Sequence, residues 1–271
     1  MATLTPFRYA GAKNKMISIL MEHIDKILIS QNNFVDAFVG GGSVLLEVAK
    51  KYPNISLFAN DKDYLVYCFW NVVASGDSTK LDQLLSLMEA HPTLELFYKL
   101  REEQTKDEIA CAYRAIFFNR TTFSGILKSG PIGGKDQSSK WKVDCRYNYK
   151  KLKIKILECH RLLSGRTTVS NKDIANYNEL NNNYPTYLDP PYYVKGSQLY
   201  SEYMKPHEHD ILSAILDNKD NWILSYDDCP EIRALYKNKQ IIDLSARYCI
   251  NGKKSAWKNK NELIILPLKV V

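Results

Sequence analysis

Residues 34–43 read Phe-Val-Asp-Ala-Phe-Val-Gly-Gly-Gly-Ser, so an apolar run ends in three consecutive glycines. The apolar run predicts a strand over Asn33–Phe38, and the glycines predict a tight turn. A helical pattern follows over Ser43–Lys51, and a second strand is predicted over Ile55–Ala59. This β-loop-α-β unit indicates an α/β fold with a doubly wound, mostly parallel sheet.

The same two patterns continue on both sides of this unit. An amphipathic helix is predicted over Lys13–Ile29, and helical periods recur from Asp77 to Phe118. The Gly- and Ser-rich stretch Ser124–Lys142 has no regular period and is predicted to form loops or a small β-ribbon. Further strands are predicted at Thr167–Val169, Thr186–Leu188, Trp222–Tyr226, Gln240–Leu244 and Leu263–Leu268.

The gap in the strand pattern predicts an insertion. We expect a catalytic domain in two parts, residues 1–75 and 161–271, around an inserted, largely helical domain at residues 76–160. The formal net charge of +7 is concentrated there, because Arg120–Lys155 holds ten basic and two acidic residues. A solvated lysine-rich surface would also explain these charges. The interleaved aromatic residues and glycines favour nucleic-acid contact.

Composition excludes several classes of protein. No apolar stretch approaches the roughly 20 residues that span a bilayer, and no signal peptide is evident, so we predict a cytoplasmic protein. The six cysteines form no Cys-x-x-Cys pair, which indicates neither a zinc site nor a disulfide framework. None follows a proline, so the Pro-Cys nucleophile of cytosine-C5 methylation is missing.

The glycine turn predicts a nucleoside site. Leu45 stands where a dinucleotide fingerprint has its third glycine, so a nicotinamide or flavin dinucleotide is disfavoured. Asp36 lies within the last part of the first predicted strand. Asp61 follows the second, about 20 residues after the glycines, where a carboxylate can bind ribose hydroxyls. The pattern fits an adenosine without a pyrophosphate. Two ordinary strand-end aspartates beside a glycine turn would look the same.

A second motif follows the predicted strand Thr186–Leu188 and reads Asp189-Pro190-Pro191-Tyr192. The prolines make a stiff turn that presents carbonyl groups, so Asp189 and the Pro190 carbonyl could both accept hydrogen bonds from an exocyclic amine. Tyr192 offers a flat face on which a flipped base could stack. The tetrapeptide favours amine methylation, although an Asp-Pro turn without any chemistry has the same residues.

The chain resembles a known family through four motifs in order, at Phe7–Lys13, Phe34–Ser43, Asn60-Asp61 and Asp189–Tyr192. Together they resemble the D12 class, or Dam-like α group, of DNA N6-adenine methyltransferases. The resemblance implies a Rossmann-like methyltransferase fold with an inserted target-recognition domain. It also implies methyl transfer from S-adenosylmethionine to a flipped-out adenine in double-stranded DNA, in a prokaryotic or phage-encoded protein. Relatives act alone or beside a cognate restriction endonuclease, and the sequence does not indicate which.

The resemblance assigns site residues position by position. Catalysis is expected from Asp189, Pro190, Pro191 and Tyr192. Cofactor contacts are expected from Tyr9, Lys13, Asp36, Phe38, Gly40, Gly42, Asp61, Asp173 and Asp189. Two positions depart from many relatives: Ala12 stands in place of a glycine, and Ile174 follows Asp173 where an aromatic residue is common.

DNA contacts are expected from two elements of the insertion. Residues 119–125 and 146–148 resemble the family's Asn-Arg-x-x-Phe-Asn/Ser-Gly and Arg-aromatic-Asn elements. The expected DNA-binding residues are Asn119, Arg120, Thr121, Ser124, Arg146 and Asn148, and polar anchoring within loops is the open alternative. A second candidate DNA surface is the lysine-rich loop Ile250–Lys260, which could equally be a solvated hairpin.

Other interpretations remain at this stage. His207 and His209 suggest a metal site, but their position at a predicted helix start favours capping or packing, so no metal is predicted. An amine methyltransferase acting on RNA or on a protein glutamine could use a similar Pro-Pro-aromatic turn. A DNA-binding relative that has lost catalysis is the other alternative.

Overall fold

The computed structural model describes residues 4–8, 16–181, 183–194, 196–244 and 262–268. Within these residues seven strands form one sheet. They are β1 (Asn33–Asp36), β2 (Ser56–Asn60), β3 (Thr167–Ser170), β4 (Thr186–Leu188), β5 (Trp222–Asp227), β6 (Gln240–Asp243) and β7 (Glu262–Leu266).

The strand order is β3-β2-β1-β4-β5-β7-β6, and the first five strands are parallel. β7 lies antiparallel between β5 and β6. In register, Val35 of β1 pairs with Phe58 on one side and Thr186 on the other. β2 and β4 lie on opposite sides of β1, so the strand order reverses at β1. This reversal opens a crevice at the carboxyl ends of these strands. The predicted doubly wound, mostly parallel α/β sheet is confirmed.

Two helical layers cover the sheet, as the alternation along β1 shows: Phe34 packs into one hydrophobic cluster and Val35 into the other. The first layer comprises α1 (Ile17–Ile27), α2 (Ser43–Lys51), α3 (Tyr64–Ala74), α4 (Ser78–Leu87), α5 (Leu94–Glu102), α6 (Glu108–Thr121) and α7 (Tyr149–Leu163). After the short α8 (Gly196–Leu199), the second layer comprises α9 (Pro206–Asp217) and α10 (Pro230–Leu235). None of the described helices is long and apolar enough to cross a membrane.

The predicted insertion packs directly on the first layer. Residues of α4 to α7 share one hydrophobic cluster with α2 and α3, with Phe117 and Phe118 fully buried. Ser124–Lys142 is mostly irregular, with one isolated bridge between Thr122 and Pro131. Residue 160 lies inside α7, so the predicted boundary there falls within a continuous helix. The division at residues 75 and 160 stays a prediction.

Candidate active site

The carboxyl ends of β1, β2 and β4 surround a cavity. This is the place where the strand order reverses, and such crevices bind ligands in doubly wound folds. Seven of the predicted cofactor residues line this one cavity: Asp36, Phe38, Gly40, Gly42, Asp61, Asp173 and Asp189. The other two, Tyr9 and Lys13, lie outside the described residues.

The glycine turn is shaped by a tryptophan that the sequence motifs do not include. Trp70, fully buried on α3, donates from Nε1 to the carbonyl of Gly40 at 2.8 Å. Gly42 has a φ of +69°, and a Cβ added there would lie 2.4 Å from Trp70 Cζ2. Two features therefore require glycine at position 42: the left-handed backbone conformation and the close approach of the indole ring. The apolar run of α3 predicts a buried helix but not this contact.

Asp61 ties the end of β2 to the glycine turn. Its carboxylate accepts hydrogen bonds from the backbone N–H of Gly40 at 2.8 Å and of Asp63 at 2.9 Å. Burial, with a smaller contribution from the charge of Asp63, raises the pKa of Asp61 to about 7. Asp61 therefore organises the turn while its carboxylate faces the cavity.

Asp36 is the most confined acid of the cavity. Its Oδ1 is buried without a hydrogen-bond partner among the described residues, and the same holds for Oγ of Ser43. Burial first, and then the charge of Asp189, raise the pKa of Asp36 to about 8. A buried cluster of acids with unused acceptors is suited to a cationic ligand that can donate hydrogen bonds.

Because the pKa of Asp36 is raised, we expect the free energy of unfolding of this protein to depend on pH. The folded state holds a proton on Asp36 that the unfolded chain has lost, so Asp36 lowers stability as pH rises from about 4 towards about 8. We expect Asp36→Asn to raise the free energy of unfolding at pH 8 by more than about 1 kcal/mol, and less at pH 5. Urea denaturation at both pH values measures this.

The exposed Asp82→Asn on α4 is the control for that experiment. It should leave the difference in stability between pH 5 and pH 8 unchanged. A gain for Asp36→Asn that is equal at both pH values would contradict the assignment.

Asn60 links the cavity to the segment that carries Asp173. Its Nδ2 donates to the carbonyls of Ala37 at 3.3 Å and Lys172 at 3.1 Å, and its Oδ1 accepts from Lys172 N at 3.0 Å. Asp173 pairs with Lys62 at 2.7 Å, which lowers the pKa of Asp173. Lys62 also pairs with Glu208 at 3.3 Å, so charged side chains close this side of the cavity.

The Asp189–Tyr192 turn is held by acids on two neighbouring strands. Asp227, at the end of β5, accepts from the backbone N–H of Tyr193 at 2.9 Å and of Val194 at 3.3 Å. Glu262, at the start of β7, accepts from the Tyr192 hydroxyl at 2.9 Å. Asp189 itself is half-buried at the end of β4 and lines the cavity. These hydrogen bonds hold the residues that follow Asp189.

Comparison with known proteins identifies this architecture. The family model of the D12 class N6 adenine-specific DNA methyltransferases matches residues 9–250, which include the glycine turn, the cavity and the Asp189–Tyr192 turn. The chain belongs to this family. It is also similar to the type II methyltransferase M.MjaIII of Methanocaldococcus jannaschii, with 29% identity over 143 residues. That alignment covers 47% of this chain and 49% of the relative, so the match spans about half of the relative's length.

As in the family motif, Asn119–Gly125 of this D12 chain ends a helix and opens a loop, but two of its side chains point inward. Asn119 is 0% exposed and binds backbone groups of Arg8 and Gly125, while Thr121 is buried and donates to Phe117 O at 2.8 Å. Both side chains contact the protein itself, and their expected contact with DNA stays a prediction. They hold the loop in place.

The remaining predicted DNA residues of this chain are more accessible. Arg120 is half-buried and donates to the Pro6 carbonyl, and burial together with nearby Arg8 lowers its pKa to about 10. Ser124 is exposed, with a φ of +56°. Arg146 is exposed and lies 5.8 Å from the ring of Trp141. Exposed Asn148 accepts from Lys151 N at 3.0 Å and so caps α7.

An exposed aromatic residue joins this surface. Phe123 is 68% exposed at the tip of the turn Phe123–Gly125. Its place in the family motif could have indicated it, but only the structure shows that the ring faces outward. The loop Ile250–Lys260, the second predicted DNA surface, lies outside the described residues.

One of the two histidines of α9, His209, has a packing role. His209 is buried, and its Nδ1 is hydrogen-bonded to the Tyr226 hydroxyl. Its ring also packs against Tyr193 with 4.9 Å between centroids. His209 therefore supports Tyr193, the residue that follows the Asp189–Tyr192 turn.

Proposed function

We propose that this chain transfers a methyl group from S-adenosylmethionine to the N6 atom of an adenine in duplex DNA. The observation that carries the proposal is the position of Asp189, which lines the same cavity as the glycine turn, Asp36 and Asp61. A methyl donor bound at the glycine turn would thus lie beside Asp189, the carboxylate that accepts a hydrogen bond from the adenine amine. Because its substrate is DNA, we place the protein in the cytoplasm of a prokaryotic or phage-infected cell.

The residues of the cavity fit S-adenosylmethionine. Its sulfonium and ammonium groups are cations, which complement the buried acids Asp36 and Asp61. Asp36 Oδ1 and Ser43 Oγ, which have no hydrogen-bond partner among the described residues, would accept hydrogen bonds from the ammonium group of the cofactor. Asp61 has one backbone partner on each carboxylate oxygen, which leaves further lone pairs for ribose hydroxyls.

When bound, S-adenosylmethionine supplies an electrophilic methyl group on a positively charged sulfur. The Asp189 carboxylate and the Pro190 carbonyl accept hydrogen bonds from the two hydrogens of adenine N6. This arrangement turns the nitrogen lone pair out of the ring system and towards the methyl group. After transfer the nitrogen is cationic, and it loses its proton to Asp189 or through it to water. Catalysis then consists of orientation and electrostatic stabilisation.

The target base must leave the duplex to reach Asp189. We propose that it stacks on Tyr192 after flipping. Tyr192 is 5% exposed, and the ring of Tyr200 meets it edge-on with 6.2 Å between centroids. Base entry therefore requires the segment around Tyr200 to move. Lys128 of the DNA-facing loop donates to the Ser197 and Tyr200 carbonyls, each at 2.6 Å, so this movement involves the insertion.

The insertion is proposed to bind the duplex. Phe123, Ser124 and Arg146 are exposed. Half-buried Arg120 lies in the last turn of α6, just before the turn that carries Phe123 and Ser124. Lys140 and Arg146 both lie close to the Trp141 ring, at 5.6 and 5.8 Å. Basic side chains around an exposed aromatic ring are typical of nucleic-acid surfaces. Phosphate contacts position such a protein, and base contacts select its sequence.

Arg146 tests this surface. We expect Arg146→Ala to weaken binding to the target sequence by about 1–3 kcal/mol and binding to random duplexes much less, because a bidentate arginine reads guanine. Electrophoretic mobility shifts at several salt concentrations measure both. Arg161→Ala, which removes an exposed arginine paired with Glu158 on α7, is the matched control. Equal losses on both duplexes would make Arg146 a phosphate contact instead.

Transfer of a labelled methyl group tests the proposed reaction. The chain is incubated with tritiated S-adenosylmethionine and equal amounts of duplex DNA, RNA and a glutamine-containing protein. We expect label in the DNA alone, recovered as N6-methyladenine by mass spectrometry. Label in RNA or protein would favour the rival amine methyltransferases. A folded chain that binds DNA but fails to bind the cofactor would favour a non-catalytic relative.

A further inference from the structure

Residues 4–8 at the start of the described chain connect two functional regions, and we call them the N-terminal segment. Thr5 Oγ1 donates to the carbonyl of Gly41 in the glycine turn, and Phe7 N donates to Thr5 Oγ1 at 3.1 Å. The Phe7 ring packs edge-on against Phe69 at 4.5 Å and lies 5.9 Å from Trp70. This end of the segment therefore touches both the glycine turn and the tryptophan that shapes it.

The other end is bound by a single buried amide. Asn119 Oδ1 accepts from Arg8 N at 2.7 Å, and Asn119 Nδ2 donates to Arg8 O at 3.0 Å. The same Nδ2 donates to Gly125 O at 3.1 Å. One fully buried side chain thus holds both backbone groups of Arg8 and the DNA-facing turn Phe123–Gly125.

The turn and the N-terminal segment are also in direct backbone contact. Gly125 has a φ of +75°, and a Cβ added there would lie 2.1 Å from the Arg8 carbonyl oxygen. Two more carbonyls of the segment accept from long basic side chains of the insertion. Lys155 donates to Thr5 O at 3.0 Å, and Arg120 donates to Pro6 O. The segment is therefore bound along its length by residues of α6 and α7.

We propose that Asn119 is a positioning residue that couples DNA binding at the Phe123–Gly125 turn to cofactor binding at the glycine turn, through the N-terminal segment. A shift of the DNA-facing turn moves the Asn119 amide and Arg8 with it, because the contacts are buried and closely packed. Thr5 and Phe7 pass that shift to Gly41 and Trp70. Tyr9, a predicted cofactor residue, follows Arg8 directly in the sequence, and Lys13, another one, is five positions after Arg8.

This coupling rests on the proposed function and has a thermodynamic consequence. If DNA strengthens cofactor binding by some factor, the cofactor must strengthen DNA binding by the same factor. Asn119 should set that factor rather than either affinity alone. A side chain that only stabilised the fold would change the cofactor affinity by the same factor with and without DNA. The ratio of these two cofactor affinities would then stay at its wild-type value.

The test measures this ratio by calorimetry. S-adenosylhomocysteine, which has no methyl group to transfer, is titrated into the full chain. The titration is done with and without a saturating, unmethylated duplex that carries the target sequence. For the wild-type chain we expect binding at least about fivefold tighter with DNA. For Asn119→Ala we expect the ratio to fall to within about twofold of one, while each ligand still binds. Thr122→Val removes a buried hydroxyl from the same helix end, where Thr122 Oγ1 bonds to Phe118 O, and should keep the wild-type ratio.

Thr5→Val tests the far end of the same path and replaces Asn119→Ala if that variant does not fold. It removes the bond to Gly41, so the ratio should again approach one. A wild-type ratio in either variant, or a ratio of one in the wild-type chain, overturns the coupling while methyl transfer still stands. A wild-type chain that binds neither ligand overturns the proposed function, and the coupling with it.

Discussion

Replacing Asp189 with alanine is expected to reduce methyl transfer by at least about 10²–10³-fold, the loss typical when one preorganised hydrogen-bonding group is removed from an active site. The reason is positional. Asp189 ends β4 in the cavity, while Asp227 and Glu262 hold the residues that follow it through bonds that the substitution leaves intact. The variant should therefore lose the acceptor for adenine N6 and keep the shape of the turn.

Single-turnover transfer of a labelled methyl group measures this effect. DNA affinity should change little, because we propose that the exposed residues of the insertion bind the duplex. Asp82→Ala on the surface of α4 should transfer methyl groups at the wild-type rate. Turnover close to wild type in Asp189→Ala would remove Asp189 from the catalytic residues.

The second large effect is expected at Gly42. Gly42→Ala places a Cβ 2.4 Å from Trp70 Cζ2 on a backbone with a φ of +69°. The indole cannot withdraw freely, because it is fully buried and bonded to the Gly40 carbonyl. Left-handed backbone costs a residue with a side chain about 1–2 kcal/mol, and overpacking costs about 1–3 kcal/mol more. We expect a loss of about 2 kcal/mol or more in the free energy of unfolding.

Cofactor binding should fall with it, at least about tenfold, because Gly40 to Gly42 line the cavity and must shift to admit the methyl group. Denaturant unfolding and cofactor titration measure the two losses. Gly76→Ala is the matched control, since an added Cβ there has no neighbour within 4 Å. Equal stability of the two variants would show that the turn adapts without cost.

Local patterns predicted the sheet well where both ends of an element are marked in the sequence. Thr186–Leu188 lies between Pro185 and Asp189, and the structure has β4 at these residues. Ser43–Lys51 lies between Gly42 and the pair Tyr52-Pro53, and α2 has these bounds. Where no marker exists the bounds differ: β1 ends at Asp36 rather than Phe38, because the chain leaves the sheet to form the glycine turn.

Contacts between distant residues explain what the sequence could not predict. Asn119 resembles a DNA contact by motif, but its partner is the backbone of Arg8, 111 residues away. Charge counting likewise could not separate the roles of the basic residues. Lys155 and Arg120 donate to carbonyls of the N-terminal segment, whereas Arg146 is exposed. These roles depend on how α6 and α7 pack, which no local pattern records.

Sequencing that detects N6-methyladenine, applied to DNA from methylation-deficient cells that express this chain, is the decisive measurement. We expect methylated adenines at one recurring sequence with the wild-type chain, and none with Asp189→Ala expressed at the same level. Unmodified adenines in cells that contain the folded wild-type chain, or the same methylation with Asp189→Ala, would contradict the assignment of Asp189 and its cavity to adenine methylation.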